Sequence, residues 1–438
     1  MEQEKLLAVW YPVEEEMMKI INGLKYWGQL LLLPFYWLSF LMPRNRRLWL
    51  FGSTFGRRFA DNPKYFYLYV SQHKEELDIR PVWITHKKEI MELLQANGYE
   101  AYYYHSLKGL WFALRGKVYI FDNYSKDINF WQSGGAIKVN LWHGVGNKKI
   151  NYDNIHDKVR HPENMWERFK FFPRRLSDEK PSHYVLATSP MMCRIFARAF
   201  KVPEGHVIEA GYPRNDYILN GSIENILSKE EDAAYSCIRR WSSSGKRVVL
   251  YMPTFRESEI KFQTVMDLPE FNRYLFRNDI LFLTKLHPKS ALKREFCQNH
   301  FSNILNLDAD MDPYVFLVQA DILVTDYSSV YSDFMLLDRP VVAFWYDYEE
   351  YMENSRESYF DFKEYMPEVT AKNLVELEQA LSIVLKKDVN KVARRRSRQK
   401  MFSSTEGNGC LEIIEKINNI LSESKLEIVK KAVTNNFR

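Results

Sequence analysis

The sequence predicts two α/β domains of similar size, each built on a mostly parallel sheet. Three observations predict it. From residue 48 onward, short apolar runs alternate with helical stretches, the pattern of a sheet covered by helices on both faces. The alternation comes as two series, divided by a polar stretch at 220–246 that contains Ser242-Ser243-Ser244-Gly245. The length of 438 residues fits two domains, or three, at roughly 100–200 residues each.

The first 47 residues stand apart. Residues 30–42 read LLLLPFYWLSFLM, thirteen positions without a charge. A spanning helix needs about 20 apolar residues. Here Pro34 interrupts the run, and Gln29, Gly28 and Lys25 bound it upstream. Pro43-Arg44-Asn45-Arg46-Arg47 follows, and Trp27, Tyr36 and Trp37 are aromatics that favour a headgroup boundary. A helical segment lying in the membrane interface accounts for these features. The plainer alternative is a core helix packed on the next domain. A cleaved signal peptide is not expected, because Glu14-Glu15-Glu16 precedes the apolar run and no small-residue cleavage site follows it.

The first series of strands is expected at 48–53 (LWLFGS), 80–85 (RPVWIT), 99–104, 118–122, 137–142, 184–188 and 207–211. Asp61-Asn62-Pro63 opens a helix running to about Glu76, with a cap and a proline in its first turn. A second helix, 87–96, stops near Gly98. The second series has strands at 247–252 (RVVLYM), 280–286 (ILFLTKL), 322–325 (ILVT) and 341–345 (VVAFW). Helices are expected near Asp312-Pro313 and after Ser328-Ser329. The two series join near residues 225–245. In such sheets ligands sit beyond the carboxyl ends of the strands, and between two such domains the cleft is the default site.

Composition excludes several classes. The apolar share is 46%, the charged share 27%, and Gly 17 with Pro 17 is a small part of the chain; collagenous, low-complexity and disordered chains look different. A net charge of +5 is weak at this size and makes no case for nucleic acid. Cys193, Cys237, Cys297 and Cys410 lie far apart with no CxxC, so neither a disulfide framework nor a cysteine zinc site is expected, and a reducing compartment fits better. The 15% of aromatic residues calls for a large core, an interface or a membrane surface.

Chemistry-bearing residues gather where strands end. Strand 137–142 runs into Trp142-His143-Gly144-Val145-Gly146-Asn147-Lys148. A histidine there can serve as a general base near neutral pH, and glycines such as Gly144 let a substrate approach the backbone. Strand 280–286 ends in His287-Pro288-Lys289, with Lys285 just before, a set suited to a phosphate or a leaving nucleotide. Strand 322–325 leads through Asp326-Tyr327-Ser328-Ser329 into a helix; its unpaired N–H groups and the Ser328 and Ser329 hydroxyls suit a phosphate. Strand 247–252 ends in Pro253-Thr254-Phe255-Arg256, and strand 207–211 in Gly211-Tyr212-Pro213-Arg214. Thr254, Arg256 and Arg214 therefore read as further phosphate ligands. Each has a plainer reading as a turn cap or surface residue. Together, five such strand ends make an anionic, nucleotide-like ligand the best reading.

Absences narrow it further. There is no GxxxxGK[ST], no GxGxxG after the first strand and no HExxH. Asp308-Ala309-Asp310 reads as a solvated loop rather than a metal motif. Residues 386–400 hold eight basic residues against one acidic; this is a solvated helix face or a contact for anionic lipid or polymer.

The ordered set WHG (142–144), GYPRND (211–216), PTFR (253–256), LHP (286–288) and TDYSSVYSDF (325–334) resembles the CDP-glycerol glycerophosphotransferases of teichoic-acid and capsule synthesis. FGSTFGRRFADNPK (51–64), Asp347 with Tyr351, and Glu406-Gly407 extend the resemblance over roughly residues 48–415. It departs where Gly146, Phe255 and Glu406 stand, positions at which the family often has Pro, Trp and Asp.

The resemblance implies a GT-B-like fold of two Rossmann-like domains with an N-terminal membrane-associated helical segment. Residues 1–47 would be that segment, 48–235 the acceptor side, 236–400 the CDP-donor side and 401–438 a C-terminal helical segment. It implies that His143 is the base and that His287 serves a phosphate or the leaving group. Arg214, Pro253, Thr254, Ser328, Ser329 and Asp333 would contact the donor. The implied partners are a CDP-polyol, a lipid-linked or polymeric acceptor and the anionic surface of the cytoplasmic membrane face, with no nucleic acid. No cofactor and no protein-bound metal is expected, free Mg²⁺ aside. The residues do not choose glycerol from ribitol, or a priming enzyme from a polymerase. Two alternatives remain at this point: a GT-B glycosyltransferase using a nucleotide sugar such as CMP-sialic acid, which TDYSS disfavours, and a non-catalytic membrane-surface binder of polyanions.

Overall fold

The structure, a computed structural model, describes residues 18–436 except residues 19, 222, 299–300 and 355–356; the Glu14-Glu15-Glu16 stretch lies outside the described residues. Two parallel sheets form two α/β domains. The first has strands β1 (Asn45–Phe51), β2 (Arg80–Thr85), β3 (Ala101–Tyr103), β4 (Gly116–Phe121), β5 (Ile137–Asn140), β6 (Tyr184–Ala187) and β7 (Val207–Glu209), in the order β3-β2-β1-β4-β5-β6-β7. The second has β8 (Arg247–Met252), β9 (Ile280–Lys285), β10 (Ile304–Leu307), β11 (Ile322–Thr325), β12 (Val341–Phe344) and β13 (Val369–Ala371), in the order β10-β9-β8-β11-β12-β13. Strand centres such as Leu50, Ile120, Leu250 and Val324 are fully buried, as expected of apolar runs covered on both faces. The strand order reverses beside β1 in the first sheet and beside β8 in the second. Clefts of such sheets open at these points.

Local chemistry sets the helix starts. Ser228 and Glu231 form a reciprocal capping box on helix Lys229–Ser243, with bonds of 3.2 and 2.9 Å. Ser189 caps helix Pro190–Phe200 through the Met192 N–H. The helix opened by Asp61-Asn62-Pro63 ends at Gln72, and a separate short turn, Lys74–Leu77, follows. Strand β5 ends at Asn140, two residues before the expected end, because the Asn140 side chain takes the Trp142 N–H at 2.8 Å and turns the chain outward. Strand β13 was not expected; three residues are too few to show a period.

The chain crosses back after the second domain. Helix Lys391–Met401 ends against the first domain, where Thr188 and Ser189 donate to the Met401 and Lys400 carbonyls at 2.6 and 2.9 Å. Helix Gly409–Asn436 then packs on it, with Asp216 accepting the Gly409 and Cys410 N–H groups.

Residues 20–28 are helical, and a 3-10 turn, Gln29–Leu32, and helix Leu33–Ser39 follow. One side of this segment packs on the first domain. Tyr36 stacks on Phe130 at 4.8 Å, and the buried Ser39 accepts the Gly134 N–H. The other side is bare: Leu31 is 79% exposed and Trp37 65%. Among the described residues no helix is long and apolar enough to cross a membrane.

Several cations of the two basic stretches, 44–47 and 386–400, are paired within the protein, although most of their basic residues are exposed. Arg44 turns inward and donates to the Ala113, Gly116 and Gln132 carbonyls, Arg46 reaches the Leu421 carbonyl, and Arg47 pairs with Asp78. In the 386–400 stretch, Arg394 is fully buried between Glu368 and Asp388, and Arg395 and Lys391 pair with Asp338. Apart from Asp388, which lies six positions from Arg394, these partners come from distant positions, so the sequence shows the charge and hides most of the pairing.

Candidate active site

The carboxyl ends of the two sheets face one another across a cleft of about 410 Å³. The same device braces both. In the first domain Asp122, at the end of β4, accepts the Ser53 hydroxyl at 2.7 Å and the Thr54 N–H at 2.9 Å from the loop after β1. In the second, Asp326, at the end of β11, accepts the Thr254 N–H at 2.8 Å from the loop after β8.

His143, His287, Gly144, Pro253, Thr254, Lys285, Ser328 and Ser329 all line the cleft. His143 is exposed, and its Nδ1 meets the Asp122 backbone carbonyl at 3.4 Å. A carbonyl only accepts, so Nδ1 carries the proton and Nε2 is the basic nitrogen. His287 has the opposite arrangement. Its Nδ1 accepts the Lys289 N–H at 3.2 Å, so the neutral ring carries its proton on Nε2. Desolvation, with the charges of Lys289 and Lys293, lowers the His287 pKa and favours that neutral ring.

Gly144 brings the two domains into contact. Its φ is 156°, and a Cβ there would stand 3.1 Å from the Ser329 hydroxyl. Ser329 opens the short helix Val330–Met335 without capping it, and Ser328 accepts the Val330 N–H at 3.5 Å. The Thr254 hydroxyl is buried with no partner among the described residues. Lys285 donates to the Asp308 and Ala309 carbonyls at 2.8 and 2.7 Å, and burial lowers its pKa to about 8. That loop is Asp308-Ala309-Asp310, whose two carboxylates lie on the solvated side. Among the described residues no three His, Cys, Asp or Glu side chains gather as a metal-ligand cluster.

Three residues expected as donor ligands, Arg214, Asp333 and Arg256, do not line the cleft. Arg214 is fully buried and gives its guanidinium to Asp333, at 2.9–3.0 Å, and to Asp61. Asp333 is thereby consumed as well; burial pushes its carboxyl up to about 6 although Arg214 pulls the other way. Arg256 is held by Asp347 at 2.8 and 3.0 Å and by Asp326. Arg214 and Asp333 join the two domains, and Arg256 braces the second from within. Other residues to which sequence reasoning gave no role also line it: Arg58, Asn147, Lys148, Tyr327 and Tyr359, with an apolar wall of Trp142, Ile150 and Phe196. The signal was present for Arg58 and Lys148, which follow FGR and WHGVGN at the ends of β1 and β5.

The profile of the CDP-Glycerol:Poly(glycerophosphate) glycerophosphotransferase family matches residues 34–419. The chain belongs to this family. It is accordingly an enzyme of the glycerophosphotransferase kind. Among its relatives is the teichoic acid poly(glycerol phosphate) polymerase of Bacillus spizizenii, 29% identical over 339 residues, 75% of this chain and 81% of that protein. The teichoic acid glycerol-phosphate transferase of Staphylococcus aureus is 27% identical over 348 residues, covering 77% and 84%. A structure of the wall teichoic acid polymerase TagF superposes with a TM-score of 0.70 at 21% identity, covering 93% of this chain and 98% of that one. That likeness establishes the two-domain parallel-sheet fold.

Proposed function

We propose that the protein transfers glycerol phosphate from CDP-glycerol to a hydroxyl of a lipid-linked or polymeric acceptor, releasing CMP, in teichoic-acid-like polymer synthesis. The observation that carries this reading is the pair of cleft histidines, one from each domain, with opposite proton positions. His143 Nε2 takes the proton of the acceptor hydroxyl. That oxygen forms a bond to the phosphorus next to glycerol, the bond from this phosphorus to the bridging oxygen breaks, and CMP leaves with the electron pair. His287 donates from Nε2 to an oxygen of the diphosphate, where charge develops. The Ser328, Ser329 and Thr254 hydroxyls and the Lys285 charge hold the diphosphate beside it. Phosphoryl transfer asks for alignment and charge neutralisation more than for covalent help, and these groups supply both. The GT-B-like arrangement, with donor on the second domain and acceptor on the first, follows from this assignment.

The same reading places the protein on the cytoplasmic face of the membrane as a peripheral protein. The bare apolar side of residues 20–41 supports it. So does helix Met165–Lys170, which sequence reasoning missed: Trp166 is 70% exposed, and Phe169 packs on Trp27 at 4.7 Å, continuing the apolar surface. A surface of this kind lies in an interface without spanning it.

The test is incubation of the full chain with CDP-glycerol, CDP-ribitol or CMP-sialic acid and a lipid-borne acceptor, following CMP. Release from CDP-glycerol in preference to the other two is the expected result. Preference for CMP-sialic acid would overturn the donor assignment, and no release from any donor would favour a binding protein.

A further inference from the structure

Trp142 immediately precedes the base and has a φ of 53°, a left-handed conformation that a bulky residue holds only when its surroundings enforce it. Two buried asparagines enforce it here. Asn140 accepts the Trp142 N–H at 2.8 Å. Asn62 donates from Nδ2 to the Trp142 carbonyl at 2.8 Å and to the Leu141 carbonyl at 3.4 Å. Asn62 is fully buried, belongs to helix Asp61–Gln72 rather than to the loop, and does not line the cleft. On its other side Asn62 Oδ1 accepts the Arg214 N–H at 3.4 Å, and the Arg214 side chain holds Asp333 of the second domain. Asp333 lies in the helix that Ser329 opens.

We propose that Asn62 is the positioning residue for the base. The carbonyl it holds belongs to the peptide that carries His143. Fixing that carbonyl fixes the peptide plane, and with it the direction in which the imidazole leaves the backbone. Without Asn62 the Trp142 turn relaxes toward an unstrained conformation and His143 swings off the Asp122 carbonyl that sets its proton. Through Arg214, the same contact holds the base loop in register with the serine helix of the donor side. Asn62 acts through His143 and touches no substrate. This assignment rests on the transferase reading above.

The test is a double-mutant cycle on the full chain with CDP-glycerol and acceptor. Asn62→Ala should lower kcat by about 10–10²-fold, the range expected when a catalytic group is misplaced by about 1 Å, with donor KM unchanged. Added to His143→Asn it should cost nothing further, because residues that act as one unit are not additive. A merely structural asparagine would lower thermal stability and multiply its loss onto His143→Asn; that outcome, or a normal kcat in Asn62→Ala, overturns the proposal. Should Asn62→Ala not fold, Asn62→Asp keeps the volume and sets an acceptor where the donor stood, and is read in the same way. A wild-type chain that releases no CMP from CDP-glycerol would instead overturn the transferase reading itself.

Discussion

Lys285 is a cleft residue whose charge changes within an accessible pH range. Burial lowers its pKa from the ordinary 10.5 to about 8. Its positive charge is therefore present below that value and lost as pH rises through it. The donor is an anion, so its KM should rise across this window, and Lys285→Met should show a high KM with a flattened pH dependence; steady-state kinetics at constant ionic strength reads both. Stability moves the other way. Between about 8 and 10.5 the unfolded chain binds the proton that the folded chain has lost, so this group's contribution to stability grows with pH there. Which side chains line the cleft was partly legible in the sequence. His143, His287, Thr254 and the two serines were placed by strand ends alone. The pairing of Arg214 and Arg256 was not legible, because a strand end shows a charge but not its counter-charge; Asp333 stands 119 positions from Arg214, and Asp347 stands 91 from Arg256.

At the level of elements, β11, the Asp326-Tyr327-Ser328-Ser329 turn and helix Val330–Met335 act as one unit. The turn is fixed by Asp326, which holds the β8 loop, and by Ser332, whose hydroxyl donates to the Val145 carbonyl of the base loop at 2.6 Å. Replacing Ser328 and Ser329 together by Ala removes hydroxyls that line the cleft while leaving these braces. The variant should bind CDP-glycerol more weakly, by about tenfold or more if each hydroxyl contributes about 1 kcal/mol, and keep its acceptor affinity. Unchanged donor affinity by calorimetry would remove the serines from the site. The strands were the most legible part of the fold: β2, β8 and β11 fall on the expected residues, since buried parallel strands are short continuous apolar runs. The loops were least legible. Residues 147–149 pair with 357–360 across the cleft, where Asn147 accepts from and donates to the Phe360 backbone at 2.7 and 2.8 Å; no local pattern announces such a pairing.

For the whole molecule, two fully buried ion pairs join the domains. Arg214 of the first holds Asp333 of the second, and Lys64 of the first holds Asp312 at 2.7 Å, with the Tyr65 hydroxyl at 2.9 Å. Breaking such a pair strands a buried charge. Arg214→Met should cost about 3–5 kcal/mol of stability in chemical denaturation, and Arg214→Met with Asp333→Leu should cost less than the single change. A smaller loss in the single variant would mean that the domains are held elsewhere. The apolar face belongs to this scale as well, because it is assembled from residues 20–41 and helix Met165–Lys170. Leu31→Glu, Trp37→Glu and Trp166→Glu together should release the chain from anionic vesicles in flotation while leaving its melting temperature unchanged; retention of vesicle binding would contradict the placement. The central claim is that the cleft transfers glycerol phosphate with His143 as base. It is tested most directly by following CDP-glycerol labelled in its glycerol, in wild type and in His143→Asn. The account predicts label in the acceptor with matching CMP release for wild type, and about 10²–10⁴-fold slower transfer in the variant with donor affinity kept. Near-normal transfer in the variant, or CMP release that leaves no label in the acceptor, would contradict it.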